Sequence, residues 1–258
     1  MIERLDATAD HQVVDVDGTS IVFRCWGAGP QVLLVHGASG AWTHWVRNID
    51  RLAAHHRVIV PDLPGFGESD LLPGPHAAEP LAAALVAAID SLLGADTALD
   101  LVGFSFGGII AGLSARLLGA RARKLILVSV GGIGMTSVVP PGSGSGPRAD
   151  LIRFMFAQPA SADELALRIH LANMALTRFR SGSIPASTLL ADALPQIRAE
   201  VHAIYSDQDA FGAGRPTDRF DRLRLARHDV GCHTIAGSGH WIPYEKAEEL
   251  NTLLLDLL

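Results

Sequence analysis

The residues best suited to chemistry sit in Gly103-Phe104-Ser105-Phe106-Gly107, between an apolar run and a helix-like segment. A G-x-S-x-G sequence in a strand-to-helix turn forms a nucleophile elbow, in which small flanking residues relieve crowding and the serine hydroxyl points into a cleft. Ser105 is therefore read as a nucleophile. A serine hydroxyl attacks poorly at neutral pH and needs an adjacent base, a task suited to the titration range of histidine. Among 11 histidines, His240 stands out in Gly237-Ser238-Gly239-His240-Trp241, which joins the last strand-like run to the last helix. Loops at the carboxyl ends of parallel strands form the cleft of an open α/β sheet, and glycines let such a loop aim an imidazole. His240 is the expected base. His36, His44 and the other histidines apart from His170 are read as structural or surface groups.

The base needs a carboxylate to orient it, and in this architecture the chain order is nucleophile, acid, histidine. Tyr205-Ser206-Asp207-Gln208-Asp209 follows the strand-like run before the last one and offers two carboxylates. Asp209 is preferred, with Asp207 the alternative. Acyl transfer also needs preset donors for a developing oxyanion. The amide of Phe106, directly after the nucleophile, supplies one. The amide of Ala38 is the expected second, in His36-Gly37-Ala38-Ser39-Gly40. Asp62 precedes the nucleophile in Pro61-Asp62-Leu63-Pro64-Gly65 and reads as a turn-forming group.

Positioning these side chains requires a sheet. Val14, Val16, Ile21 and Phe23 alternate around Asp17-Gly18, a pair that favours a tight hairpin turn. Continuous apolar runs follow at Val32-Leu33-Leu34-Val35, Val58-Ile59-Val60, Leu99-Asp100-Leu101-Val102 and Leu125-Ile126-Leu127-Val128. Such runs suit parallel strands buried on both faces. Helix-like stretches at residues 42–54, 81–93 and 107–118 lie between or after them. The expected fold is α/β, with a mostly parallel central sheet, helices on both faces and an inserted helical lid. Residues 131–147 are rich in Gly, Ser and Pro and read as a mobile connection. Residues 150–179 look helical, and the strand pattern resumes at Val201-His202-Ala203-Ile204-Tyr205. The lid is therefore assigned to residues 131–198 and the core to 1–130 and 199–258. A last strand near residues 230–235 and a terminal helix over 245–258 complete the chain.

At 258 residues, 48% hydrophobic and 19% charged, the chain has the composition of a globular protein with one sizeable core. A net charge of -6 gives no electrostatic reason to bind nucleic acid. The polar, acidic start lacks the pattern of a secretory signal, and the longest apolar stretch, 80–89, ends at Asp90, short of a membrane span. A cytoplasmic protein acting on a small-molecule substrate, with no membrane partner, is expected; homo-oligomerisation is left open. Cys25 and Cys232 lack any metal-ligand spacing and read as reduced core thiols, so neither a metal site nor a cofactor is expected.

Taken together, HGASG, PDLPGFGESD, GFSFGG and SGHW resemble the α/β-hydrolase fold family across nearly the whole chain. The resemblance implies a Ser105, Asp209, His240 triad working through an acyl-enzyme, with Ala38 and Phe106 as the oxyanion hole. Ser206 stands where many members carry Gly. Trp241-Ile242-Pro243-Tyr244-Glu245 and Ile169-His170-Leu171-Ala172-Asn173-Met174 are similar to segments of meta-cleavage-product hydrolases, which cleave carbon-carbon bonds in vinylogous diketones. Trp241 and His170 are accordingly candidate substrate contacts. Three departures separate the chain from those enzymes: His170 replaces a common Arg, Phe104 replaces Asn before the nucleophile, and HGASG is poorer in glycine. Hydrolysis of a small ester, thioester or lactone is thus the first expectation and carbon-carbon cleavage the alternative. A non-catalytic ligand-binding role is a third reading. Ser105 argues against the epoxide and haloalkane enzymes of this fold, which attack with Asp. The apolar residues Phe154, Met155, Phe156, Leu165, Leu167, Met174 and Phe179 are expected either to line an apolar pocket or to pack the lid on the core.

Overall fold

The computed structural model describes residues 1–135, 145–212 and 215–258. Its centre is a sheet of eight strands in the order β1-β2-β4-β3-β5-β6-β7-β8. Strands β1 (Asp10–Val16) and β2 (Thr19–Trp26) form the expected antiparallel hairpin, and β2 runs antiparallel to β4 (Arg57–Pro61). From β4 through β3 (Gln31–Val35), β5 (Leu99–Phe104), β6 (Ala122–Val128), β7 (Glu200–Ser206) and β8 (Gly231–Ile235) every pairing is parallel.

The alternation of strand side chains divides the core in two. Leu33, Val35, Leu101, Leu125, Leu127 and Ala203 face one cluster, which is covered by α3 (Ala78–Leu93), α4 (Phe106–Leu118), α7 (Leu189–Ala193) and α8 (Pro216–Ala226). Val32, Leu34, Val102, Ile126, Val128 and Ile204 face the other, under α1 (Ile2–Thr8), α2 (Ile49–Ala53), α6 (Glu164–Ala175) and α10 (Ala247–Leu257). Helices thus cover both faces of a mostly parallel sheet, as the apolar runs require.

Several helical stretches are more broken than their composition suggests. Residues 42–54 split into a 3-10 turn, Trp42–Trp45, and α2. The Trp-Thr-His-Trp-Val run is weak in helix propensity, and Asp62 Oδ1 accepts the Trp42 amide at 2.8 Å. Residues 150–179 do not form one helix. The short α5 (Pro147–Asp150) passes into a π turn at Leu151–Met155, Pro159 opens a 3-10 turn, and α6 begins where Asp163 accepts the Ala166 amide at 2.8 Å. The terminal stretch divides at Lys246 into α9 (Ile242–Glu245) and α10.

The mobile connection expected over 131–147 lies outside the described residues from 136 to 144. Its described start is fastened, with Gly132 N–H donating to Pro185 O at 2.7 Å and Gly134 N–H to Ser187 O at 2.8 Å. Cys25 is buried and its thiol is pushed up to about 11 by desolvation, whereas Cys232 is only half-buried. Among the described residues, no helix is long and apolar enough to cross a membrane.

Candidate active site

Strand β5 is buried along its length and delivers the chain to Ser105 at the head of α4. Ser105 adopts φ 54° and ψ -122°, a conformation that L-residues avoid, and its amide donates to Val128 O at 2.8 Å. The two flanking glycines are required by close approach. A Cβ on Gly103 would stand 2.5 Å from Gly108 Cα, and one on Gly107 would stand 2.2 Å from His36 O. The tight turn and the close packing of α4 on β3 therefore both depend on missing side chains.

The sequence-predicted triad meets in space. His240 Nε2 lies 2.9 Å from Ser105 Oγ, and His240 Nδ1 lies 2.9 Å from Asp209 Oδ2. Burial pushes the Asp209 carboxyl up. The attraction of His240, its hydrogen bond, the charge of Arg219 and the Phe211 amide outweigh burial and hold the carboxyl below its ordinary range. Asp207 is not bonded to His240; its Oδ1 accepts the Gly237 amide at 2.7 Å and so braces the histidine's loop. Ser206 adds a second brace by donating from Oγ to Gly239 O at 2.8 Å.

The loop after β3 carries Ala38, which lines the cavity beside Ser105, and Phe106 opens α4 directly beyond it. Neither amide donates a hydrogen bond to another group among the described residues. Two buried histidines hold this loop. His36 Nδ1–H donates to Gly37 O at 2.8 Å while Nε2 accepts the Leu63 amide at 2.9 Å, an arrangement that requires the neutral ring. Burial pushes its pKa down to about 4. His44 Nδ1 accepts the Gly37 amide at 3.3 Å, and burial, then the charges of His36, His170 and His240, depress it well below the usual histidine range. Asp62 accepts the amides of Trp42 and Glu68 and lies 3.5 Å from Arg24, which fits its reading as a turn-forming group.

These elements enclose a cavity of about 450 Å³, within the size range of small-molecule sites. Its lining is mostly apolar, with Phe104, Ile133, Met135, Met155, Pro185 and Phe211 around Ser105 and His240. Neither proposed substrate contact lines it. Trp241 is buried behind His240, stacked on Phe156, with its indole N–H donated to His44 O at 3.2 Å. His170 is half-buried on α6, outside the cavity lining. Of the apolar residues at 154–179, Met155 lines the cavity and Phe154 stacks on Phe211, while Phe156 and Phe179 are buried packing groups and Met174 is exposed.

Sequence reasoning missed two polar side chains in the cavity wall. Ser129, at the end of β6, is buried with φ 49°, and Arg219 projects from α8. Ser129 carries no motif. Arg219 lies in Asp218-Arg219-Phe220-Asp221-Arg222-Leu223-Arg224, which reads as a solvated helix face; the one available signal was its place four residues before buried Leu223. Ser39, Ser105 and Ser129 all take positive φ, after β3, β5 and β6, which are neighbours in the sheet. No cluster of three metal-ligating side chains occurs among the described residues.

With this fold and geometry in place, residues 32–253 match the Alpha/beta hydrolase family, and the chain belongs to that family of hydrolases. It is 31% identical to a 2-hydroxy-6-oxo-6-phenylhexa-2,4-dienoate hydrolase of Burkholderia cepacia, over 90% of this chain and 88% of that protein. A 2-hydroxy-6-oxononadienedioate/2-hydroxy-6-oxononatrienedioate hydrolase of Comamonas testosteroni is 30% identical over the same shares. The fold is shared with a meta-cleavage product hydrolase of Pseudomonas fluorescens IP01 (TM-score 0.78, 20% identity, 95% of this chain and 96% of that one). It is also shared with an esterase of Thermogutta terrifontis (TM-score 0.74, 24% identity, 96% and 98%).

Proposed function

We propose that this protein hydrolyses the carbon-carbon bond beside a ketone in a 2-hydroxy-6-oxo-dienoate, with Ser105, His240 and Asp209 as its triad. The observation that carries the substrate class is the likeness to dienoate hydrolases over nine-tenths of the chain. His240 Nε2 takes the Ser105 proton as Oγ adds to the ketone carbon, and Asp209 steadies the imidazolium through Nδ1. The amides of Ala38 and Phe106 receive the oxyanion, a role supported by their lack of other partners. Collapse breaks the carbon-carbon bond. The 2-hydroxyl proton must first have shifted to C5, so that the electron pair enters the conjugated 2-oxo fragment as a dienolate, which is protonated from His240 while the acyl group remains on Ser105. Water, deprotonated by His240, then releases a carboxylic acid. Residues 131–198 act as a lid in this scheme, as the cavity-lining positions of Met155, Gly182, Pro185 and Ala186 support.

Ester hydrolysis, the first expectation from sequence, is the second reading. It is favoured by Phe104, an apolar group beside the nucleophile, because a simple ester needs only the triad and two amides. The two are separated by kcat/KM for a coloured ring-fission dienoate and for nitrophenyl acyl esters. A preference for the dienoate by orders of magnitude is expected; ester turnover with the dienoate untouched would overturn it.

A further inference from the structure

The cavity wall holds a cation without a carboxylate partner. Arg219 is 6% exposed, and no carboxylate among the described residues stands within ion-pair distance of it. Its Nη1 donates to Val130 O at 3.0 Å, and its guanidinium lies 5.1 Å from the centre of the Tyr205 ring. Its Nε has no hydrogen-bond partner. A Cβ on Gly212 would stand 2.7 Å from that Nε, so only a glycine there lets the guanidinium keep its place in the cavity wall. The second orphan is Ser129 Oγ, buried and unbonded, on the residue next to Val130. Asp209 reaches Arg219 only through its field, being engaged with His240 and the Phe211 amide.

Two buried polar groups left unpaired in one wall of an otherwise apolar cavity are costly, at about 1–3 kcal/mol each, and point to an absent acceptor. A guanidinium in a cavity wall suits a carboxylate, which accepts its N–H groups and has lone pairs to spare for a hydroxyl. Arg219, on α8, brings positive charge to the cavity wall. We propose that Arg219, assisted by Ser129, binds a free carboxylate on the substrate, apart from the carbonyl attacked by Ser105. In a dienoate this is its own carboxylate; in the ester reading it makes the substrate a dicarboxylic half-ester. The carboxylate contact rests on the cavity, and its place in a reaction rests on the function proposed above.

Binding is measured by calorimetry with the Ser105→Ala protein, which cannot turn over, using 5-benzoylpentanoate and its uncharged amide, 5-benzoylpentanamide. The acid is expected to bind about 10- to 100-fold more tightly than the amide, the range for hydrogen bonds to charged groups. Adding Arg219→Met removes that ratio, and Arg219→Lys, which keeps charge but loses the planar fork, retains a smaller part of it. A purely structural Arg219 would weaken both ligands alike and leave the ratio intact. Equal binding of acid and amide to Ser105→Ala, no binding of the acid at millimolar concentration, or a ratio surviving in Arg219→Met or undiminished in Arg219→Lys, overturns the proposal. Failure of the wild-type protein to hydrolyse any carbonyl substrate would instead refute the proposed reaction, and calorimetry would still decide the carboxylate contact.

Discussion

Ser105 Oγ, His240 and Asp209 form one line of hydrogen bonds, so each has a separable consequence when removed. Ser105→Ala should lower turnover by at least about 10³-fold without moving the melting temperature downward, since the hydroxyl adds no packing. Asp209→Asn should cost about 10²–10⁴-fold in kcat, because an amide cannot stabilise the imidazolium. Asp207→Asn should lower kcat by less than about tenfold, as Asp207 meets only the Gly237 amide. Steady-state rates for the pair test this; equal losses would contradict the geometry. Ser105, His240 and Asp209 were legible in the sequence because chemistry demands their types and the fold fixes their order. Arg219 was not, because a charged helix hides which of its arginines turns inward. Trp241 and His170 lie outside the cavity lining, because a shared motif does not say which side of a buried loop a ring occupies.

At the scale of elements, Glu245 at the end of α9 joins two loops. Its carboxylate accepts the Gly239 amide at 2.6 Å beside His240, and also the amides of Ala157 and Gln158 and the Ser161 hydroxyl. The Trp241 amide adds a bond to Met155 O at 2.9 Å. Glu245→Ala should therefore destabilise the chain by about 1–3 kcal/mol and speed amide exchange together at residues 157–161 and 239. Exchange confined to one of those loops would show that they are not coupled. The strands were legible because continuous apolar runs and one alternating hairpin leave few other solutions. The pieces between β6 and β7 were not, since a π turn and Pro-opened 3-10 turns have no hydrophobic period of their own. They are set by what they lie against.

Across the whole molecule, two neutral buried imidazoles make stability depend on pH. The ordinary histidine value is 6.5, and folding depresses His36 to about 4 and His44 well below its usual range. Below pH 6.5 the unfolded chain takes up protons that the folded one refuses. Stability should therefore fall as pH drops, by about 1.4 kcal/mol per pH unit for each ring. For His36 the slope ends near pH 4, where the folded chain also binds the proton. Asp209, depressed from 3.8, contributes only at still lower pH and does not confuse this window. Urea unfolding between pH 7 and 5 measures the slope, and His36→Gln should reduce it by one proton's worth; an unchanged slope would refute the assignment. Burial on both sheet faces also fixes core sensitivity. Leu101→Ala should cost about 2–5 kcal/mol in the same assay, and a loss below 1 kcal/mol would show that this face repacks. The α/β architecture was legible from the rhythm of runs and helices, whereas α1 was not, its seven residues being held by tertiary contacts such as Trp26 Nε1–H to Leu5 O at 3.0 Å.

The three serines with positive φ lie in the loops that follow neighbouring strands, and each such backbone costs of order 1–3 kcal/mol. Part of the strain in this chain thus lies beside the candidate active site. A laboratory selection for heat tolerance alone should reach Ser129→Gly early, because that change relieves strain and deletes an unbonded hydroxyl. The survivors of such a selection would be sturdier proteins that tell an acid less well from its uncharged amide, so durability and selectivity compete for the same few positions.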